Sequence, residues 1–183
     1  MLSYSHRRKG KAERQKEEEN KMKLYHGSNF RLTDLTVRKG DLFNGMFFSS
    51  DMESAQGPGA SHYYYSTEID EDDIAELYRM IYMEDSSLEA KKLWGDDADI
   101  MLDIVYEFNT ANPSGWNADE EQQEVLNRLF PNYEEWELNF ELQRQASLLA
   151  EEMGYKAVAV DDEHGTSYIV IPGAKMKFEC EAE

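Results

Sequence analysis

Apolar positions fall into two textures along this chain. Short aromatic or β-branched runs lie toward both ends, and stretches of helical period lie between them. Lys23-Leu24-Tyr25-His26 predicts a short strand stopped by a turn at Gly27-Ser28, and Gly45-Met46-Phe47-Phe48-Ser49-Ser50 predicts a second, aromatic strand. The run Gln56-Gly57-Pro58-Gly59-Ala60-Ser61 suits neither a helix nor a central strand, because proline has no amide to donate. It predicts a loop ahead of Tyr63-Tyr64-Tyr65. Over residues 69–153 the pattern is mostly helical, with Ile74, Leu77, Tyr78 and Ile81 at helix spacing. Ser86 stands where it would cap a helix ending at Trp94, residues 119–130 predict a helix ended by Pro131, and residues 133–153 predict a long one closed by Gly154. Inside this region Ile100, Leu102, Ile104, Tyr106 and Phe108 alternate with Met101, Asp103, Val105 and Glu107, which predicts a strand over 100–108. Lys156-Ala157-Val158-Ala159-Val160, a turn at Asp162-Glu163-His164-Gly165, and Ser167-Tyr168-Ile169-Val170-Ile171 form a hairpin with a polar tip. Residues 175–179 follow as an edge strand.

A chain of 183 residues is enough for one domain with a real core. The expected organisation is a flexible charged arm over 1–21 and a single domain over 22–183 with a helical middle region, 69–153. The expected class is α+β, with a split pair of antiparallel sheets around a cleft and helices on the flanks. Charge adds a constraint on partners. After Lys23 the chain carries 11 basic and 34 acidic side chains, a net of −23. That sign repels phosphate backbones and draws basic surfaces inward, so a direct nucleic-acid ligand is disfavoured and a basic nucleic-acid-binding protein is the natural partner; the same charge also serves plain solubility. The one cysteine, Cys180, makes no internal disulfide and no thiolate cluster, as a reducing cytoplasm favours. No apolar run has the length of a membrane span, so neither membrane nor secretion is expected.

Chemistry concentrates at three places: the turn at Tyr25-His26-Gly27-Ser28, the strand ending in Ser49-Ser50, and the carboxylates at the hairpin tip. Each alone reads most simply as an ordinary turn or core strand. Their order resembles ADP-ribosyltransferases of the His-Tyr-Glu type, whose first motif Tyr25-His26-Gly27-Ser28 fits. Gly45-Met46-Phe47-Phe48-Ser49-Ser50 with Ser54-Ala55 is similar to the second motif. The third motif departs, because Ser167 stands before Tyr168-Ile169-Val170 where that family carries a glutamate. A Tyr expected two residues after Ala55 is also replaced by Gly57, which leaves Tyr63 or Tyr64, beyond the loop, to stack on nicotinamide. A closer resemblance is to the phage-encoded type I-F anti-CRISPR mono-ADP-ribosyltransferases. It is carried by the same first two motifs together with Glu141-Leu142-Gln143-Arg144, Gly154-Tyr155, Asp162-Glu163-His164-Gly165-Thr166 and Pro172-Gly173.

The resemblance implies an NAD-dependent transferase that modifies one side chain of a host protein in the bacterial cytoplasm. The implied acceptor is the large PAM-reading subunit of a CRISPR surveillance complex. NAD enters as co-substrate. The implied catalytic carboxylate is Asp162, with Glu163 beside it. The implied co-substrate contacts are Tyr25, His26, Gly27, Ser28, Phe47, Phe48, Ser49 and Ser54, with Tyr63 or Tyr64 at the ring. On a strand, Asp162 shares a face with Val160 and Asp161 takes the other. An RNA 2′-phosphotransferase shares the fold and a His-Gly turn but needs cations around an RNA phosphate, which the net charge opposes. A silent acidic protein that mimics nucleic acid is the non-enzymatic alternative. His26, His62 and His164 are too scattered to suggest a zinc site, and no Gly-rich phosphate loop of Rossmann or P-loop spacing occurs.

Overall fold

The structure is a computed structural model that describes residues 20–40, 43–55, 62–110, 116–162 and 165–182, and for Glu84, Asp85 and Asp162 the backbone alone. Most of the arm (residues 1–19), the loop at 56–61, Glu163 and His164 lie outside the described residues. Two sheets form. The first joins β1 (Lys21–Ser28), β3 (Tyr63–Asp70) and β7 (Lys177–Glu181) in the order β1-β3-β7, all antiparallel, with β7 at an edge as expected. The second runs β2-β6-β5-β4, from β2 (Met46–Phe48), β6 (Gly165–Val170), β5 (Ala157–Asp162) and β4 (Ile74–Glu76). The α+β class and the split pair of sheets are those expected, with one correction: β4 lies parallel to β5, Ile74 opposite Ala157 and Glu76 opposite Ala159. A parallel pair needs a long crossover, and here residues 77–156 supply it with five α-helices.

Those helices are α1 (Leu77–Ile81), α2 (Glu84–Trp94), α3 (Ala98–Thr110), α4 (Glu120–Leu129) and α5 (Glu135–Glu152). Three expectations are corrected. The helical region begins at Leu77 and not at Ile69, because Ile69 closes β3 and Ile74 sits in β4, a strand too short to show a period. The strand expected over 100–108 is the helix α3, whose buried Ala98, Met101, Leu102, Val105 and Phe108 follow helix spacing; Met101 and Val105 are the two apolar residues that spoil the alternation. Ser86 sits one turn inside α2 and donates its hydroxyl to Met83 O at 2.6 Å, so it supports the first turn without being the cap. The turn expected at Gly27-Ser28 is also corrected, because both residues continue β1 and pair with Tyr64 and Tyr63, whereas the helix-end signals held. Asp119 and Gln122 form a capping box on α4, and α5 ends in a Schellman turn, with Tyr155 N–H on Ala150 O at 2.9 Å and Gly154 at φ +85°.

Strand β5 explains how the layers meet. It is paired on both edges and buried on both faces over 157–160, and there its sequence is continuously apolar. Val158 and Val160 face the helices with Met101, Ile104, Phe108, Leu142 and Leu149, while the smaller Ala157 and Ala159 face the first sheet with Leu24, Tyr65, Ile69 and Met176. Small residues on one face let the sheets approach closely, and branched residues on the other fill the gap beneath α3 and α5. Each fully buried large side chain contributes about 1.5–3 kcal/mol. A polar brace crosses the helix layer: Trp94 donates to Gln145 at 2.6 Å, Gln145 and Arg144 donate to the buried Glu141 carboxylate, and Tyr133 reaches it at 3.4 Å. Among the described residues no helix is long and apolar enough to cross a membrane.

Gly45 positions β2 against β6. It stands at φ +150°, and a Cβ there would lie 2.2 Å from Val170 O. Gly45→Ala must therefore push β2 off the sheet, with an expected loss above about 1 kcal/mol and a Tm lower by at least about 2–4 °C, read by thermal melting. Glu141→Leu strands the Gln145 amide and the Arg144 guanidinium, with an expected loss of about 2 kcal/mol. Unchanged melting of either variant contradicts the corresponding packing.

Candidate active site

Strands β1 and β2 belong to different sheets and meet at one bridge. Tyr25 and Ser49 exchange both backbone hydrogen bonds, each 2.8 Å. Such an exchange directs the amide and carbonyl of alternate residues to the same edge, so those of Gly27 point the way Tyr25's do, toward β2. An antiparallel ladder continued from Tyr25 and Ser49 would set Gly27 opposite Phe47. The bridge is isolated, and the ladder does not continue. Phe47 O instead accepts from the His26 ring, Nδ1 at 2.8 Å. The imidazole occupies the place a strand partner would take, and the two sheets part there.

The protonation of His26 follows from this contact. A carbonyl only accepts, so Nδ1 carries the hydrogen and the neutral ring presents Nε2 as an acceptor. Burial holds the His26 pKa below its ordinary value, outweighing the upward pull of the Phe47 carbonyl. The ring lies 5.4 Å from that of Phe48. At neutral pH the turn thus offers an acceptor nitrogen, a backbone N–H and a backbone carbonyl within one strand end.

The remaining candidates separate. Tyr64 and Tyr63 lie in β3 and not in a loop, opposite Gly27 and Ser28 respectively. Tyr64 is 5 % exposed and offers almost no face to a ligand, whereas Tyr63 is half-buried. Phe47 and Phe48 are consecutive strand residues and so point to opposite faces. Phe48, 3 % exposed, belongs to the core between the sheets, and Phe47 packs toward the helices, so the two do not wall one pocket together. Ser28 Oγ donates to Phe30 O at 2.8 Å and holds the turn. Ser49 is buried, its Oγ accepting from Asp51 N at 3.4 Å. Ser54 is exposed in the following turn, where its amide donates to Asp51 Oδ1 at 2.8 Å and helps hold that carboxyl below its usual range.

Hairpin register relates the carboxylates to this turn. Asp162 pairs with Gly165 and Asp161 with Thr166, whose hydroxyl donates to Asp161 Oδ1 at 3.0 Å. Phe48 pairs with Tyr168 on the same strand β6, so β2 runs out toward Ser49 at the end of the sheet where β5 reaches positions 161 and 162. The bridge sets Tyr25 of β1 level with Ser49, Ser167 and Val160, so β1 stands three strands from β5 there, or roughly 14 Å by strand spacing. Alternation puts position 162 on the face of Val158, Val160 and Phe47, and Asp161 on the face of Ala159 and Tyr168.

Sequence reasoning missed the surroundings of Phe47. Phe43 meets it edge-on at 4.6 Å and Phe140 of α5 at 5.5 Å, and Trp136 lies 6.1 Å beyond. This aromatic row leads outward along α5 beside a cleft of about 550 Å³ lined by Lys39, Gly40, Tyr133, Glu141 and Arg144. The spacing of Trp136, Phe140 and Arg144 at every fourth residue was the available signal. Tyr168 is a second omission: half-buried beside Phe48, its hydroxyl pKa is raised by burial and then by Glu71 and Glu76. Among the described residues no group of three His, Cys, Asp or Glu side chains is arranged to hold a metal ion.

The chain is an enzyme, an ADP-ribosyltransferase. The chain belongs to the family of the anti-CRISPR type I-F ADP-ribosyltransferase AcrIF11, whose model matches residues 22–179. Its fold is similar to that in a crystal structure of an anti-CRISPR protein, with a TM-score of 0.61 and 21 % identity over 87 % of this chain and 96 % of that one. No curated protein matches the chain.

The buried imidazole generates a pH dependence. Because His26 binds a proton less readily folded than unfolded, its contribution to stability is complete above about pH 6.5, and is lost as pH falls from there through the lowered folded value. Nitrogen-15 imidazole spectra are expected to show an Nδ1–H neutral ring at pH 7 that titrates below the ordinary histidine range. A ring already protonated at pH 7 would contradict the assignment.

Proposed function

We propose that the chain uses NAD to place one ADP-ribose on a side chain of a host protein, the large PAM-reading subunit of a type I-F surveillance complex, in the bacterial cytoplasm. Residues 22–183 act as one catalytic domain and 1–21 as a charged arm. The observation that carries this reading is the end of the β1–β2 ladder at His26, which leaves Gly27's amide and carbonyl turned toward β2 without a strand partner there.

The groups on this chain fit the co-substrate. A primary amide such as that of nicotinamide has one acceptor oxygen and donor hydrogens, and Gly27 offers the matching N–H and carbonyl with no side chain in the way. His26 Nε2 accepts from a ribose hydroxyl, and Tyr63 flanks the ring. NAD supplies the ADP-ribose and the nicotinamide leaving group, and breaking the bond between them puts positive charge on the ribose, as in glycoside hydrolysis. The Asp162 carboxylate opposes that charge, assisted by Glu163. A carboxylate held near the ribose in advance contributes without reorganising, an effect worth a few kcal/mol. A nucleophilic side chain of the acceptor then attacks the carbon that nicotinamide leaves. The family's direction against CRISPR type I-F systems and the net charge of −23 after Lys23 both favour an acceptor within a basic, nucleic-acid-binding complex.

Intact-mass analysis of the purified complex after incubation with NAD tests this directly. The expected result is a gain of one ADP-ribose on one subunit with matching release of nicotinamide, slowed by about 10²–10³-fold in Asp162→Ala. An Asp162→Ala variant as fast as wild type, or inhibition without any mass gain, overturns the assignment.

A further inference from the structure

The helix layer carries an exposed aromatic face that the fold does not use. Tyr78 and Tyr82, one turn apart on α1, are 61 % and 72 % exposed with ring centroids 5.0 Å apart, and Tyr106 of α3 lies 6.4 Å from Tyr78. Single exposed apolar side chains are ordinary surface, but two neighbouring tyrosines open to water, backed by the half-buried Tyr106, have the composition of an interface centre.

Beside Tyr106 runs a row that weakens the free protein. Asp99, Asp103 and Glu107 are all exposed and repeat every fourth residue along α3, which has no lysine or arginine. Like charges at this spacing destabilise a helix. The Asp103 carboxyl is accordingly held above its usual range, by partial loss of water around it and then by Glu107 and Asp99. The position of the face also matters. α1 follows directly from β4, whose Glu76 pairs with Ala159, three residues before Asp162 on β5.

We propose that the Tyr78–Tyr82–Tyr106 face, bordered by Asp99, Asp103 and Glu107, docks a lysine- and arginine-rich surface of the protein that accepts ADP-ribose. The inference rests on the transferase reading above. Carboxylates complement such a surface, and tyrosine faces attract guanidinium and ammonium groups. The same carboxylates repel nucleic acid, and they would oppose one another if two copies of this chain met here.

The test uses the full chain and a purified type I-F surveillance complex, with Tyr78→Ser/Tyr82→Ser and Asp99→Asn/Asp103→Asn as variants. Both change exposed side chains, so nicotinamide release from NAD alone is expected to stay at the wild-type value, with melting temperature unchanged in the tyrosine variant and no lower in the charge variant, where like-charge repulsion is relieved. The expected result is a roughly tenfold weaker binding of the complex by the tyrosine variant. For the charge variant it is a slower association whose dependence on salt is shallower. Wild-type affinity, rate and salt dependence in both variants overturn the docking face. Binding is measured without NAD, so the two readings fail separately. A wild type that binds but neither releases nicotinamide nor modifies the complex defeats the transferase reading alone.

Discussion

A carbonyl that would extend the β1–β2 ladder is used by a side chain, and the cleft depends on that exchange. Phe47 O takes its hydrogen from His26 Nδ1 at 2.8 Å, one residue beyond the point where Tyr25 and Ser49 make an ordinary bridge. A backbone donor in that position would join the two sheets into one continuous surface. With the ring there, Gly27 turns its amide and carbonyl into a gap, and the ring is fixed in one tautomer. Both consequences follow from one hydrogen bond of ordinary strength, about 1 kcal/mol net, because burial adds the cost of leaving Phe47 O unpaired if the ring withdraws.

The rest of the fold supplies rigidity to that point. β2 has three residues, too few to hold a position alone, and it is seated by β6 along one edge and by the close approach of Gly45 to Val170. β6 in turn is fixed by β5, which the helices and the first sheet clamp from its two faces. The strand end that carries the acidic pair is therefore set by the most buried strand of the molecule. The strand end that carries His26 and Gly27 is set by the edge where the sheets separate. Rigid placement of both is what electrostatic stabilisation of a charged reaction centre demands.

Much of this was legible in the sequence, for physical reasons that differ by element. The hairpin was readable because alternating apolar residues, a polar tip and Pro172-Gly173 agree, and α5 because Gly154 marks a left-handed end. α3 was misread because Ile100, Leu102, Ile104, Tyr106 and Phe108 satisfy a period of two, while only the burial of Met101 and Val105 reveals the helix. β4 left no signal, since three residues cannot display a period and its partner lies 80 residues on. At the site, Tyr25-His26-Gly27-Ser28 was recognisable as a motif. The insertion of its imidazole between strands was not, because it depends on which carbonyl a distant segment presents. Phe48 and Tyr64 were set beside Phe47 and Tyr63 as equals, and only strand parity and burial tell them apart.

The central claim is that the sheets part at His26 and leave Gly27 available to a bound amide. Residue-resolved amide hydrogen exchange, with and without NAD, tests it most directly. Tyr25's amide, already bonded to Ser49, is expected to exchange slowly in both states, and Gly27's amide to exchange quickly alone and slowly with NAD. A Gly27 amide that is slow without NAD would mean the ladder continues to Phe47, and one left fast by saturating NAD would mean the gap does not hold the nicotinamide amide.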